Sequence, residues 1–477
     1  MMLNNLANLH SNTNQYKVAE EEYNEALNTY QQLADKNPDA YMPDVAMTLN
    51  NLANLHSITN QLDKAEEEFN KALTTYRQLA DQNPDAYLPD VAMSLNNLAI
   101  LHKDTIQYEK AEEEFNEALT TYRQLAAQNL DAYLPDVAMT LNNLAVLHSN
   151  TNQYKEAEEE YNEALKTYHQ LADKNPDAYL PDVAQTLNNL ANLHCDTNQL
   201  DKAEEEYNEA MTICRQLADK NPDAYMPYVA TTLNNLANLH YDTNQLDKAE
   251  EEFNEALAIR RQLADKNPDA YLPDVAMTLN NLANLHSDIN QLDKAEEEYN
   301  EALTIRRQLA DKNPDAYMPD VAITLNNLGQ LHSDTNRYQE AEEEFNEALT
   351  IRRQLADKNP DAYLPAVAGT LNNLGILHKD TNQLDKAEEE FNEALTIRRQ
   401  LADKYPNAYL HKVAQTLYNM ALLHLVRKEY PAAETAALES LEKYRIMAEK
   451  SHAAFDPKVK KGEVLLERIQ KAKETDA

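Results

Sequence analysis

The stretch DAYLPDVAMTLNNLANLH, residues 269–286, recurs with small changes along the chain. Its tyrosine falls at Tyr41, Tyr87, Tyr133, Tyr179, Tyr225, Tyr271, Tyr317, Tyr363 and Tyr409, always 46 residues apart. A period kept without insertion marks stacked supersecondary units, each of which buries a face only against its neighbours. The 477 residues therefore read as one elongated array, although length alone suggests about three domains at ~150 residues each.

Within the copy running from Pro273 to Met318, Pro273 lacks the N–H that a first helical turn leaves unpaired, and Asp274 complements the helix dipole. A first helix is expected to begin there. Leu279, Leu282, Ala283 and His286 fall on one stripe at ~100° per residue and form its core face. Ser287, Asp288 and Asn290 then break the pattern with side chains that compete for backbone hydrogen bonds. A second helix carries Leu292, Ala295, Tyr299, Ala302, Leu303, Leu309 and Ala310 on one face and ends before Asn313-Pro314. Glu296, Glu297 and Glu298 near its start, with Arg306 and Arg307 near its end, oppose the macrodipole and read as a solvated face.

The pattern Leu279, Leu282, Ala283 followed by Leu292, Ala295, Tyr299, Ala302 resembles the tetratricopeptide repeat, and TLNNLANLH followed by LDKAEEEFNEAL resembles the long repeats of kinesin light chains and their bacterial relatives. The resemblance covers roughly residues 1–450. It implies an all-α, right-handed α-solenoid of about ten 46-residue helix hairpins, the first truncated. Departures are a period of 46 in place of the family's usual 34, histidine at His286 where an aromatic is usual, and alanine at Ala283 where glycine returns only as Gly329 and Gly375. Residues 451–477 lose the acidic bias and place Val459, Val464, Leu465 and Ile469 among lysines, which reads as a capping helix and tail. Met1 falls inside a first helix. Upstream repeats are therefore missing, or another chain covers that end; self-association through an uncapped first repeat is one expectation from this.

Composition narrows the function. Four glycines leave no material for phosphate-binding loops. A formal charge of −38 repels nucleic acid and anionic lipid. No apolar stretch approaches membrane-spanning length, and two cysteines, Cys195 and Cys214, fit a reducing cytoplasm. Ten periodic histidines, among them His56, His286 and His378, invite a metal reading, but equivalent places in adjacent repeats lie on the order of 10 Å apart, too far for two ligands of one ion. A strictly periodic array also offers no special loop to assemble a catalytic triad. The expectation is a non-enzymatic scaffold without metal or cofactor.

The remaining signal lies opposite the first helix's core stripe, where Met277, Asn280, Asn284 and Ser287 are expected to line a concave groove. Asparagine fills the Asn280 place at Asn50, Asn96, Asn142, Asn188, Asn234, Asn280, Asn326 and Asn372, and the Asn284 place at Asn192, Asn238 and Asn284. An amide both donates and accepts, so such a row can pair with the backbone of an extended peptide. The resemblance implies the same use, because groove asparagines contact cargo peptides in kinesin light chains. Asn280 and Asn281 could instead hold the repeats in register. Along the second helices one place changes from Tyr30, Tyr76, Tyr122 and Tyr168 through Cys214 to Arg260, Arg306, Arg352 and Arg398. It either lies over a neighbour with its charge in water or forms a two-zone surface for a peptide acidic at one end. The reading is a scaffold that binds an extended segment of a partner protein; a sensor or regulatory arm of a larger signalling protein is the alternative.

Overall fold

The structure, a computed structural model, describes residues 2–476. Among these are 21 α-helices and no strand. In chain order they are α1 (Met2–Asn12), α2 (Tyr16–Ala34), α3 (Pro38–Ile58), α4 (Leu62–Gln82), α5 (Pro84–Asp104), α6 (Tyr108–Gln128) and α7 (Leu130–Asn150). Next come α8 (Tyr154–Lys174), α9 (Pro176–Asp196), α10 (Leu200–Lys220), α11 (Pro222–Asp242), α12 (Leu246–Lys266), α13 (Pro268–Asp288) and α14 (Leu292–Lys312). The series ends with α15 (Pro314–Asp334), α16 (Tyr338–Lys358), α17 (Pro360–Asp380), α18 (Leu384–Lys404), α19 (Pro406–Val426), α20 (Tyr430–Ala448) and α21 (His452–Asp476).

Odd-numbered first helices begin five residues earlier than Pro273 suggests. The residues Pro268-Asp269-Ala270-Tyr271 form the opening turns of α13, with Pro268 in its first turn, so the link from the preceding helix shrinks to Asn267. Pro273 sits inside the helix. Two prolines five residues apart both qualify as helix starters, and the earlier one prevails because Pro273 loses only one early hydrogen bond. The turn within each hairpin is as short as expected. Asn290 adopts φ 61°, in the left-handed region that asparagine tolerates, and the N–H of Gln291 reaches back to the His286 carbonyl at 2.7 Å. The same conformation recurs at Asn14, Asn60, Asn152, Asn198, Asn244, Asn336 and Asn382, with Ile106 and Lys428 in the two other turns.

Each second helix packs against the first helices on both sides, while successive first helices also approach one another directly. That asymmetry puts the odd-numbered helices on the inside of the curve and the even-numbered ones outside. Ala283, Ala295, Ala302, Leu279 and Leu282 are buried as the stripes require. At Gly329 and Gly375 a Cβ would come within 3.0 Å and 2.6 Å of the Phe345 and Phe391 rings, a closer approach than the copies that pair Ala53 with Phe69, Ala99 with Phe115 and Ala237 with Phe253 need to make. At the far end α21 packs on α20, burying Phe455, Leu465 and Ile469. Val464, expected among them, is 64% exposed, because it lies one position off the contact stripe.

The rod winds until it meets itself. The Asn14 side chain donates to the Asp269 carbonyl, 255 residues away, and that carbonyl is free because Pro273 has no N–H to offer it. Tyr16 and Tyr317 hydrogen-bond through their side chains, and Tyr363 donates to Asn60. Asn152 donates to the Asn407 carbonyl at 2.5 Å. Where Ile106 replaces the turn asparagine, the neighbouring Tyr108 ring packs edge-on against Tyr405 with centroids 5.1 Å apart. About six repeats thus complete one superhelical turn. The contacts are few, hydrogen bonds and one aromatic pair each worth about 1 kcal/mol, so Tyr108→Ala with Tyr363→Ala is expected to increase the maximum dimension in small-angle scattering while the circular dichroism stays that of the parent.

Candidate functional site

The inner wall is what the first helices leave uncovered. Flanked by second helices on two sides and by first helices above and below, each exposes only a narrow strip, which carries Met277, Asn281, Asn284 and Asp288 in α13. These positions follow the i, i+4, i+7, i+11 spacing of one helical face. The place of Met277 varies, with Gln185, Thr231, Ile323, Gly369 and Gln415 elsewhere. The place of Asn281 does not. Asn5, Asn51, Asn97, Asn143, Asn189, Asn235, Asn281, Asn327, Asn373 and Asn419 fill it in every copy.

The Asn280 row was expected on this wall, and most of it points elsewhere. Asn50, Asn96, Asn188, Asn234, Asn280 and Asn372 are only 2–6% exposed, and Asn142 and Asn326 are half-buried. These amides are register elements. Asn281 Nδ2 donates to Asn234 Oδ1 at 3.2 Å, Asn327 to Asn280 at 3.3 Å, and Asn373 to Asn326 at 3.2 Å. The same bond joins Asn143 to Asn96, Asn189 to Asn142, Asn235 to Asn188 and Asn419 to Asn372. Asn188 also donates to Thr232 in the following repeat, at 3.0 Å. A ladder of amides therefore runs between the first helices, its inner rail buried and its outer rail on the wall. The free strip is rotated by one residue from the face opposite the core stripe, because neighbouring repeats cover one flank. A single repeat read in isolation has no such neighbour.

Asn192, Asn238 and Asn284 do reach the wall. Asn192 and Asn284 accept from the hydroxyls of Tyr207 and Tyr299, which fixes their amide oxygens and turns their N–H groups toward the open side.

The arginines form no surface zone. Arg260 is 1% exposed and Arg306 and Arg398 are 6% exposed, with Arg352 slightly more open. Each guanidinium lies between the second helix that carries it and the first helix that follows. Arg306 donates to the Asp320 carbonyl at 3.0 Å and to Thr324, and Arg398 to the Lys412 carbonyl at 3.0 Å and to Thr416 at 2.6 Å. Arg260 and Arg352 repeat the pattern on Asp274 with Thr278 and on Ala366 with Thr370. Burial pulls all four guanidinium pKa values down, to about 10 for Arg352 and Arg398. The two-zone surface is thus replaced by a buried row that staples one helix to the next.

Charge on the wall is carried by aspartates. Asp90, Asp136, Asp182, Asp274 and Asp320 are half-buried, and desolvation raises each above the usual carboxylate range. A second row lies at the C-terminal ends of the first helices, where burial and then the proximity of Asp242 raise Asp196. Lys103 and Lys379 are neutralised by Asp104 and Asp380 at 2.9 Å and 2.8 Å. The wall is a carboxylate-lined trough with amides down its middle.

The glutamates expected to be a solvated face are partly structural. His286 Nδ1 lies 2.7 Å from Glu298 of its own repeat and its Nε2 3.2 Å from Glu250 of the preceding one. His56, His102, His194, His240, His332 and His378 make the same two-carboxylate bridge. The sequence shows the histidine and the glutamates but not that one of each glutamate pair belongs to the next repeat's histidine. No group of three or more His, Cys, Asp or Glu side chains with metal-site geometry occurs among the described residues, and no helix is long and apolar enough to cross a membrane.

The tetratricopeptide repeat family model matches residues 1–78, 44–124, 139–216, 182–262, 228–308, 274–354 and 320–400. No curated relative matches the sequence. Among solved structures, BtubC (BKLC) from P. vanneervenii is similar at 26% identity over 52% of this chain and 92% of its own, with a TM-score of 0.42. A Rap protein solved with Competence and Sporulation Factor is 15% identical over 84% of this chain and 98% of its own, TM-score 0.47. A kinesin light chain with nearly identical TPR-like repeats from Podosopora anserina is 18% identical over 46% of this chain and 97% of its own, TM-score 0.35. With the family model matching well over half its length and helical hairpins stacked throughout, this chain belongs to the tetratricopeptide repeat family.

Proposed function

We propose that the inner wall holds an extended segment of a partner protein, with no chemistry performed on it. The observation that carries this reading is the unbroken Asn281 row at the centre of a wall whose other positions vary. From Asn143 to Asn419 each of these amides uses one N–H in the register ladder and keeps the second N–H and a carbonyl lone pair, a pattern suited to a peptide backbone whatever its sequence. Asn192, Asn238 and Asn284 extend the row sideways. Partly desolvated aspartates beside it favour a segment bearing basic side chains, since a cation relieves both their burial and their mutual repulsion.

Met277 and Ile323 test the wall without disturbing it, being 37% and 41% exposed. Met277→Arg combined with Ile323→Arg is expected to keep the parental helicity and melting temperature. Affinity capture with mass spectrometry is expected to show partner recovery falling by about tenfold or more, the effect of repelling a basic segment by 1.4 kcal/mol. Recovery equal to that of the parent protein contradicts the proposal.

A further inference from the structure

In every copy but one, the space between a second helix and the following first helix is filled by a tyrosine or an arginine from the second helix. The exception is α10, where the filler is Cys214. An open pocket of ≈ 390 Å³ lies there, lined among others by Asn188, Cys214, Tyr228, Thr231, Thr232 and Tyr271. The same copy departs at a second place. Where Asp44, Asp90, Asp136, Asp182, Asp274 and Asp320 stand in six other copies, and Ala366 and Lys412 in the last two, it carries Tyr228.

The simplest explanation is an exchange in which the Tyr228 ring refills what Cys214 leaves. The structure speaks against it. Tyr228 is 40% exposed, whereas the filler tyrosines Tyr76, Tyr122 and Tyr168 are at most 5% exposed, and the pocket remains open beside it. The ring stands at the mouth, tilted against Tyr225 with centroids 6.1 Å apart. Burial holds the Cys214 thiol above its ordinary range, so it stays protonated and contributes space, with only a long 3.9 Å contact to Thr232.

We infer that this pocket is a side-chain socket for an arginine of the bound segment, a reading that rests on the groove function proposed above. The repeats themselves show what fits. In the four copies that follow, a guanidinium occupies the equivalent space and donates to a threonine hydroxyl and to a first-helix carbonyl four residues before it. The corresponding acceptors in the socket are Thr232 Oγ1 and the Tyr228 carbonyl. An exposed aromatic ring at the mouth adds a face on which a guanidinium stacks. A tyrosine of the partner would fill the same volume, but only a cation also answers the half-buried carboxylate of Asp182, which holds the Tyr228 place in the preceding repeat.

The probe is N-acetyl-arginine N-methylamide, with the citrulline analogue as its neutral isostere, observed by saturation-transfer NMR on the full chain. Saturation of the arginine probe is expected to exceed that of the citrulline analogue by about tenfold, the scale of one desolvated cation–π and charge contact. Cys214→Arg and Cys214→Tyr, which restore the fillers of the neighbouring repeats, are both expected to abolish it while keeping the parental melting temperature or raising it. The socket is rejected if the arginine probe shows no transfer, if citrulline equals it, or if transfer persists in both filled variants, which would assign it to the acidic surface at large. Met277 and Ile323 lie outside the socket, so loss of probe binding with capture still dependent on those residues rejects the socket alone, and capture indifferent to them rejects the groove alone.

Discussion

Lowering the pH from 8 to 6 is expected to raise the melting temperature by several degrees. At His56, His102, His148, His194, His332 and His378, burial pulls the imidazole pKa down, but hydrogen bonds and charge from two glutamates outweigh it, and the net direction is up from 6.5. Arg337 opposes the effect at His332 without reversing it. An imidazole donates to two carboxylates only when protonated. A folded pKa above the unfolded one contributes stability that is complete below pH 6.5 and is lost as pH rises through the folded value. The half-buried aspartates of the wall, also raised, act in the same direction at lower pH. Glu66, Glu158, Glu250, Glu296 and Glu342 are lowered, so their contribution is present above 4.5 and disappears in acid. Stability therefore peaks on the mildly acidic side of neutral. Thermal melts at pH 6 and 8 check it, and Glu68→Gln with Glu114→Gln should flatten the difference; a melting temperature that falls between pH 8 and 6 refutes the bridge.

The second large effect concerns the buried arginines. Arg306→Ala is expected to cost about 2–4 kcal/mol, from a cavity between α14 and α15 and from acceptors left unpaired. Arg306→Tyr is expected to be neutral or to stabilise by up to about 1–4 kcal/mol, because replacing a buried charge with an apolar group of similar volume removes a desolvation cost. The chain performs this exchange itself, with Tyr76, Tyr122 and Tyr168 in the same niche and almost fully buried. Denaturant unfolding of the two variants decides it. Equal losses from both would mean that the guanidinium bonds, not the filled space, hold the helices together.

The hairpin stack is legible in sequence because it depends on contacts within about one period. Ala283 packs with Ala295 and Tyr299 of the same hairpin, Leu279 and Leu282 with Phe253 and Leu257 of the second helix just before it, and helical spacing alone marks the stripes that meet. What escapes is set by the next copy. Asn280 and Asn281 are adjacent amides, and which one is buried depends on how far one repeat is rotated against the next. The arginine row looked amphipathic from α14 alone and is enclosed once α15 packs over it. Glu296 serves a histidine 36 residues further on. Contacts such as Tyr363 with Asn60 depend on superhelical pitch, the sum of small rotations over six repeats, which no single repeat encodes visibly. Pro273 suits a first helical turn, but Pro268 suits it equally, and only the one-residue link at Asn267 makes the earlier proline the start.

Site-specific photocrosslinking tests the groove most directly. A benzophenone amino acid at Met277, on the inner wall, and the same residue at Thr304, exposed on the outer helix α14, are introduced separately and irradiated with the protein in its native extract. Adducts to a partner polypeptide are expected from position 277 and not from 304. Adducts from 304 with none from 277 would place the partner on the outer surface and contradict a segment held along the asparagine row.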